Sequence, residues 1–326
     1  MIKTRLVDHD PPLGDGVFGL QTPDDPLVRL LPVPFEATTS YGTGTADGPA
    51  AVFNASPQLD LRDGVFGDVW SVGIGWEHGP GVPGVTDRGD RASVDRAAER
   101  VCSMTRDWVS ACLAADRVPG VVGGEHSVSL GGLIAASEAV GSEPGEDGLG
   151  VLQIDAHHDL RHAYEGYAHS HASVMRHALD RAPGLTSLVA VGVRDFCCEE
   201  AEFAAAQGDR VTTFYDADLA ERAAHGEAWW TVCEEIVSAL PGSVWITFDI
   251  DGLDPSLCPG TGTPVPGGLT FREASVLLRV LAESGKRVVG FDLVEVAPAV
   301  GDREWNGNVG ARVLYQLCGC AAATRS

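Results

Sequence analysis

Eight short apolar runs, separated by stretches whose apolar residues recur every three or four positions, leave few folds open to this chain. The runs are Val28–Val33, Val69–Ile74, Val121–Gly123, Val151–Ile154, Leu188–Val193, Val211–Phe214, Val244–Phe248 and Val288–Leu293. Between several of them lie helical stripes. Val94, Ala97, Ala98, Val101, Met104, Trp108 and Cys112 form one, with Ser93 as its expected N-cap. Others begin near Ser127, Ser170, Asp218, Phe271 and Asn308. Near-continuous apolar strands alternating with helices predict a mostly parallel sheet covered on both faces, an α/β fold of three layers. Residues 1–27, rich in Pro, Gly and Asp, read as an N-terminal surface segment, and 28–326 as a single domain. The Pro- and Gly-rich stretch Gly79–Gly84 reads as a loop and not as a linker between domains.

A hydrophobic fraction of 44% supports a sizeable core, but no apolar run reaches the roughly 20 residues that span a bilayer. Met1–Asp10 mixes charges without an apolar signal core, which leads to the expectation of a cytoplasmic protein. A net charge of −23 argues against nucleic acid or an anionic membrane as partner. It favours a small cationic ligand, through a steering field that salt screens. The 8 cysteines lack zinc-ribbon or Cys-x-x-Cys spacing and read as reduced thiols.

In parallel sheets ligands sit beyond the strands' carboxyl ends, and there the polar residues gather. Ile154 is followed by Asp155-Ala-His157-His158-Asp159; alternation in extended backbone would put Asp155, His157 and Asp159 on one face, with His158 on the other. Val244–Phe248 runs into Asp249-Ile-Asp251, and the last apolar run reaches Glu295. Gly123-Gly-Glu125-His126 opens a helix. Carboxylate oxygens and imidazole nitrogens together suit divalent cations. Taken singly, the motifs leave bland readings open: a helix start with a structural histidine at His126, or a capped turn at Asp254-Pro255. The Gly-Thr-Gly-Thr run 260–263 lacks the Lys-Ser/Thr of a phosphate loop and reads as a wall of the site.

In their order and spacing these segments, with Pro34–Thr45, resemble the ureohydrolase (arginase/agmatinase) family of binuclear manganese hydrolases, from about residue 28 to the C-terminus. Glu165–Ser173 and Gly260–Pro264 are most similar to agmatinases. The resemblance implies an α/β/α fold and two Mn²⁺ ions per subunit, with Ni²⁺ or Co²⁺ as substitutes. The implied ligands are His126, Asp155, His157, Asp159, Asp249 and Asp251. Asp155 and Asp249 would bridge; His126 and Asp159 would complete one site, His157 and Asp251 the other. It further implies His171 as the catalytic histidine, Glu295 as the partner of the substrate guanidinium, and Asp159 as a ligand that also aligns the attacking hydroxide. The expected reaction is agmatine to putrescine and urea, in a homo-oligomer of three or six subunits. Guanidinobutyrate, guanidinopropionate, guanidine and arginine are the alternative substrates, and a non-catalytic metal-binding member is the alternative of another class. Three positions depart from the agmatinase pattern: Glu125 for Asp, Val265 for an acid, and Ala172 for Gly. Asp159-Leu-Arg161 is similar to formimidoylglutamases, but the glycine loop and Gly-Gly-Glu-His argue against that branch; Arg161, Arg194 and Arg303 are the cations open to a tail carboxylate.

Overall fold

The computed structural model describes residues 6–79, 81–83, 85, 87–141 and 148–325. Parts of the first ten residues and of the Gly79–Gly84 loop therefore lie outside the described residues. Eight parallel strands form one sheet: β1 (Val28–Val33), β2 (Ile74–Trp76), β3 (Val118–Gly123), β4 (Leu149–Ile154), β5 (Leu185–Val193), β6 (Val211–Tyr215), β7 (Ser243–Asp249) and β8 (Arg287–Val294). Their spatial order is β2-β1-β3-β8-β7-β4-β5-β6. The last two strands thus fill the gap between β3 and β4 and place four strand ends side by side at the centre.

Strand alternation sorts the core into two halves. Val244, Ile246 and Phe248 of β7 join the cluster that includes α1 (Gly48–Ala55), α6 (Asp216–Ala224), α7 (Trp229–Ser238), α8 (Phe271–Glu283) and α9 (Trp305–Ala323). Trp245, from the other face, joins α2 (Arg91–Ala114), α3 (Leu130–Val140), α4 (Val174–Arg181) and α5 (Cys198–Ala206). This is the expected three-layer architecture. The sheet tolerates Pro119 and Gly120 inside β3, which begins at Val118 and not at the expected Val121. A side chain at Gly120 would strike the Phe291 ring and Leu30, so close packing requires the glycine.

Several boundaries differ from expectation. Val69–Val72 forms a 3₁₀ turn, and β2 begins only at Ile74, after Gly73 with φ +78°. The cap of α2 is Asp90, whose carboxylate accepts from the Ser93 amide. Helices α1, α5 and α7 went unpredicted; α5 is short, with few buried residues and hence a weak stripe. The N-terminal segment is not confined to the surface: Val17, Phe18 and Leu20 are buried, and Phe18 meets the Tyr315 ring edge-on. All eight cysteines are free thiols. Among the described residues no helix is long and apolar enough to cross a membrane.

Candidate active site

Asp155 follows β4, Asp249 ends β7, His126 follows β3 after a Gly-Gly-Glu turn, and Glu295 follows β8. Because β3, β8, β7 and β4 are neighbours, four chain-distant segments converge at one edge. His126 Nδ1 lies 2.9 Å from Asp159 Oδ2, 3.2 Å from Asp155 Oδ2 and 3.4 Å from Asp249 Oδ2. His157 Nδ1 lies 3.2 Å from Asp251 Oδ2 and 3.6 Å from Asp155 Oδ1. One oxygen of Asp155 thus faces each histidine. The donors fall into two groups, His126–Asp155–Asp159 and Asp155–His157–Asp251, each compact enough to hold a cation.

The convergence is not the simple alternation expected. Asp159 adopts φ +54°, outside extended backbone, and Asp251 sits in a 3₁₀ turn closed by its own amide donating to Asp249 Oδ1. A left-handed glutamate (φ +63°) likewise turns Glu295 off the end of β8. Non-glycine residues pay on the order of 1 kcal/mol for that conformation, which persists only where the surroundings impose it. His158 points away, with Nε2 3.3 Å from the Tyr215 hydroxyl and its ring against Phe196 and Tyr215.

Electrostatics explain what the cluster is for. Burial disfavours charge at His126, Asp155, His157, Asp159 and Asp249. It raises the pKa of Asp249, helped by Asp251 and Asp155, and raises Asp159 to about 7, helped by Asp155. Burial also works against Asp155, but contacts with His126 and His157 outweigh it and hold that carboxyl below the usual range. Burial lowers His126 and His157, yet the facing carboxylates win and raise both, His157 to about 12. Four buried carboxylates in this space demand positive charge. The His126 Nδ1 atom is buried and makes no hydrogen bond among the described residues, although three carboxylate oxygens face it. A hard cation between them resolves that contact, so the donor set fits divalent metal.

Glu295 Oε1 accepts from the His126 amide at 2.8 Å, while Oε2 is buried without a hydrogen-bond partner among the described residues. Burial, then the charge of Glu125, raises its pKa well above the ordinary value. A Cβ at Gly262 would come within 2.9 Å of that free oxygen, so the glycine keeps open the space beside it. His171 lies against Thr38, its Nδ1 3.3 Å from the hydroxyl, and Tyr164 meets its ring edge-on at 6.1 Å. Burial, outweighing Glu125, lowers its pKa and keeps the imidazole neutral at neutral pH.

Of the departures from pattern, Glu125 has a visible side-chain role. Glu125 is wholly buried and its carboxylate accepts from Ala37 N, Thr38 N, Thr38 Oγ1 and Ser127 Oγ, tying the Pro34–Thr45 loop to the site. The Val265 carbonyl accepts from Arg194, whose remaining donors go to Gly192, Asp251 and Leu253 carbonyls. That leaves Arg194 committed to backbone. Arg161 stands 3.6 Å from Glu200 with its guanidinium over the Tyr164 ring, and Arg303 is exposed on the loop before α9. Gln153, Thr247, Trp245 and Asp292 went unrecognised as part of the site's surroundings. Gln153 Nε2 donates to Asp155 Oδ2 at 2.9 Å and His126 Nε2 lies 2.8 Å from Thr247 Oγ1. The signal was present: Trp245, Thr247 and Asp249 alternate along β7 on the face that bears the site.

The arginase-family model matches residues 27–319. An N(1)-aminopropylagmatine ureohydrolase of Synechocystis sp. is 33% identical over 296 residues, 90% of this chain and 89% of that protein. An agmatinase of Bacillus cereus is 32% identical, over 84% of this chain and 85% of its own length. The crystal structure of an agmatine ureohydrolase from Thermoplasma volcanium superposes with a TM-score of 0.74 at 26% identity, covering 91% of this chain and 90% of that one. With the family's fold present and acids and histidines gathered at its central strand ends, this chain belongs to the arginase family of ureohydrolases.

Proposed function

We propose that this chain hydrolyses a terminal guanidino group to urea and an amine, with agmatine as substrate and putrescine as the organic product. The observation that carries the reading is Glu295 Oε2, a buried acceptor without a donor, in the same site as the two cation-binding groups. A planar guanidinium offers paired N–H donors and a positive charge, which is what such a carboxylate lacks.

In this reading His126, Asp155, His157, Asp159, Asp249 and Asp251 would hold two manganese ions, with Asp155 and Asp249 serving both sites. Such a pair, when bound, supplies a water nucleophile activated at neutral pH. Asp159, buried and in left-handed backbone, would accept a hydrogen bond from that nucleophile and align it. Glu295 orients the guanidinium carbon for attack. His171, neutral at rest, would take up the proton that the adding water loses and pass it to the departing amine nitrogen as the C–N bond breaks, and Thr38 limits its rotation. The acidic chain and the relatives named for agmatine and its aminopropyl derivative support a cationic tail. Aminopropylagmatine is therefore the second substrate to test.

Urea release from the manganese-loaded protein, measured with agmatine, aminopropylagmatine, guanidinobutyrate, guanidinopropionate, guanidine and arginine, tests the proposal. The highest kcat/KM is expected with agmatine. No urea from any of the six removes the catalytic reading, whereas a preference for a guanidino acid removes only the cationic tail. We further propose a cytoplasmic homo-oligomer of three or six subunits; a monomer by light scattering contradicts the assembly.

A further inference from the structure

Gln153, Thr247 and Asp292 stand abreast on β4, β7 and β8, since Gln153 pairs with Thr247 and Thr247 with Asp292 in the strand register. All three are fully buried. Asp292 Oδ2 accepts from the Trp245 indole N–H at 2.6 Å, and Oδ1 accepts from the Thr247 hydroxyl at 2.7 Å. A hydroxyl has one proton, and Thr247 has given it to Asp292. Its oxygen can therefore meet His126 Nε2, 2.8 Å away, only as an acceptor. In the neutral form that a metal ligand requires, the proton of His126 then resides on Nε2, which leaves the Nδ1 lone pair, facing Asp155, Asp159 and Asp249, free for a cation.

We propose that Asp292, acting through Thr247, is a positioning residue that sets the tautomer of His126 and thereby the metal affinity of the His126–Asp155–Asp159 pocket. This rests on the two-metal reading above. The other pocket lacks such support: no hydrogen bond from the His157 Nε2 is found among the described residues, and the side chain is 21% exposed. The two pockets thus differ in how their histidines are held.

Asp292→Asn tests the relay without changing its shape. With its oxygen kept on the Trp245 N–H, the amide must turn its NH₂ toward Thr247. The threonine hydroxyl then donates to His126 Nε2, and the ring proton moves to Nδ1, where it faces the cation. Trp245→Phe removes the competing N–H, so in the double variant the amide can rotate, accept from Thr247 and restore the original tautomer.

Manganese binding by equilibrium dialysis, with free Mn²⁺ read by electron paramagnetic resonance, follows each pocket by its own constant. The wild type is expected to bind two ions per subunit. Asp292→Asn should weaken one of them about 10- to 100-fold, as loss of an orienting partner does, and leave the other unchanged. Adding Trp245→Phe should recover most of that loss. Thr247→Val, close in shape, should lose the same ion and gain nothing from Trp245→Phe, which keeps the test open should an Asp292 variant not fold. Unchanged binding in Asp292→Asn, equal weakening of both ions, or no recovery in the double variant overturns the relay while the two-metal reading stands. A wild type that takes up no manganese overturns both.

Discussion

The two faces of the same central strands are built from opposite materials. On one face of β7, Val244, Ile246 and Phe248 sit in an apolar cluster with α7, α8 and α9. On the other, Trp245, Thr247 and Asp249 lead step by step from core to site, beside Gln153 on β4, Asp155 just after it, and Asp292 on β8. Phe248 and Asp249 are adjacent in the chain and almost equally buried, yet one stabilises the fold and the other burdens it with a charge. Stability and function here are sorted by residue parity. The period-two geometry of a strand allows it, because neighbouring side chains never share an environment.

Substitutions at this boundary break or sharpen the contrast. Asp249→Ala should take urea release below detection and remove bound manganese, while the metal-free protein melts no lower than wild type; an active, fully metallated variant contradicts its proposed role as a ligand. His171→Asn should reduce kcat about 10²- to 10⁴-fold with metal content intact. Loss of manganese in that variant would make His171 a metal residue instead of a proton carrier. Phe248→Ala should cost about 3–5 kcal/mol in denaturant unfolding, with metal content per folded subunit unchanged.

The smallest effect concerns pH. Asp159, raised to about 7 by burial and by Asp155, binds its proton more tightly in the folded than in the unfolded chain. Folding is then favoured while the group is protonated in the fold, and the advantage fades as pH rises from the unfolded value toward 7. Raised His126 and His157 act in the same direction, because their stabilising protons leave as pH rises. In chelator the melting temperature should therefore fall between about pH 5 and pH 8. Manganese should remove this decline, since a cation replaces the protons, and equal slopes with and without metal would show that the cluster is not where it binds.

Asp155, His157, Asp159, Asp249 and Asp251 were legible because hard donors interrupt apolar runs at strand ends, an arrangement with few structural uses. Asp292 and Thr247 were not. In the local sequence each is one polar residue inside an apolar strand, and its meaning depends on a neighbour about 45 or more positions away. The 3₁₀ turn at Val69–Val72 was misread for a related reason: an apolar tetrapeptide serves a strand or a buried turn equally, and Gly73 decides only in context.

Periodicity along the chain settled the layers, the parallel sheet and the edge at which polar groups collect, because strand and helix repeats are local properties of the backbone. Which residues meet was decided by strand order, with β7 and β8 inserted between β3 and β4. So were the left-handed turns at Asp159 and Glu295 and the buried His126 Nδ1 that no hydrogen bond satisfies among the described residues. Those depend on contacts between segments far apart in the chain, whose cost in strain and buried charge is met by the packed sheet around them.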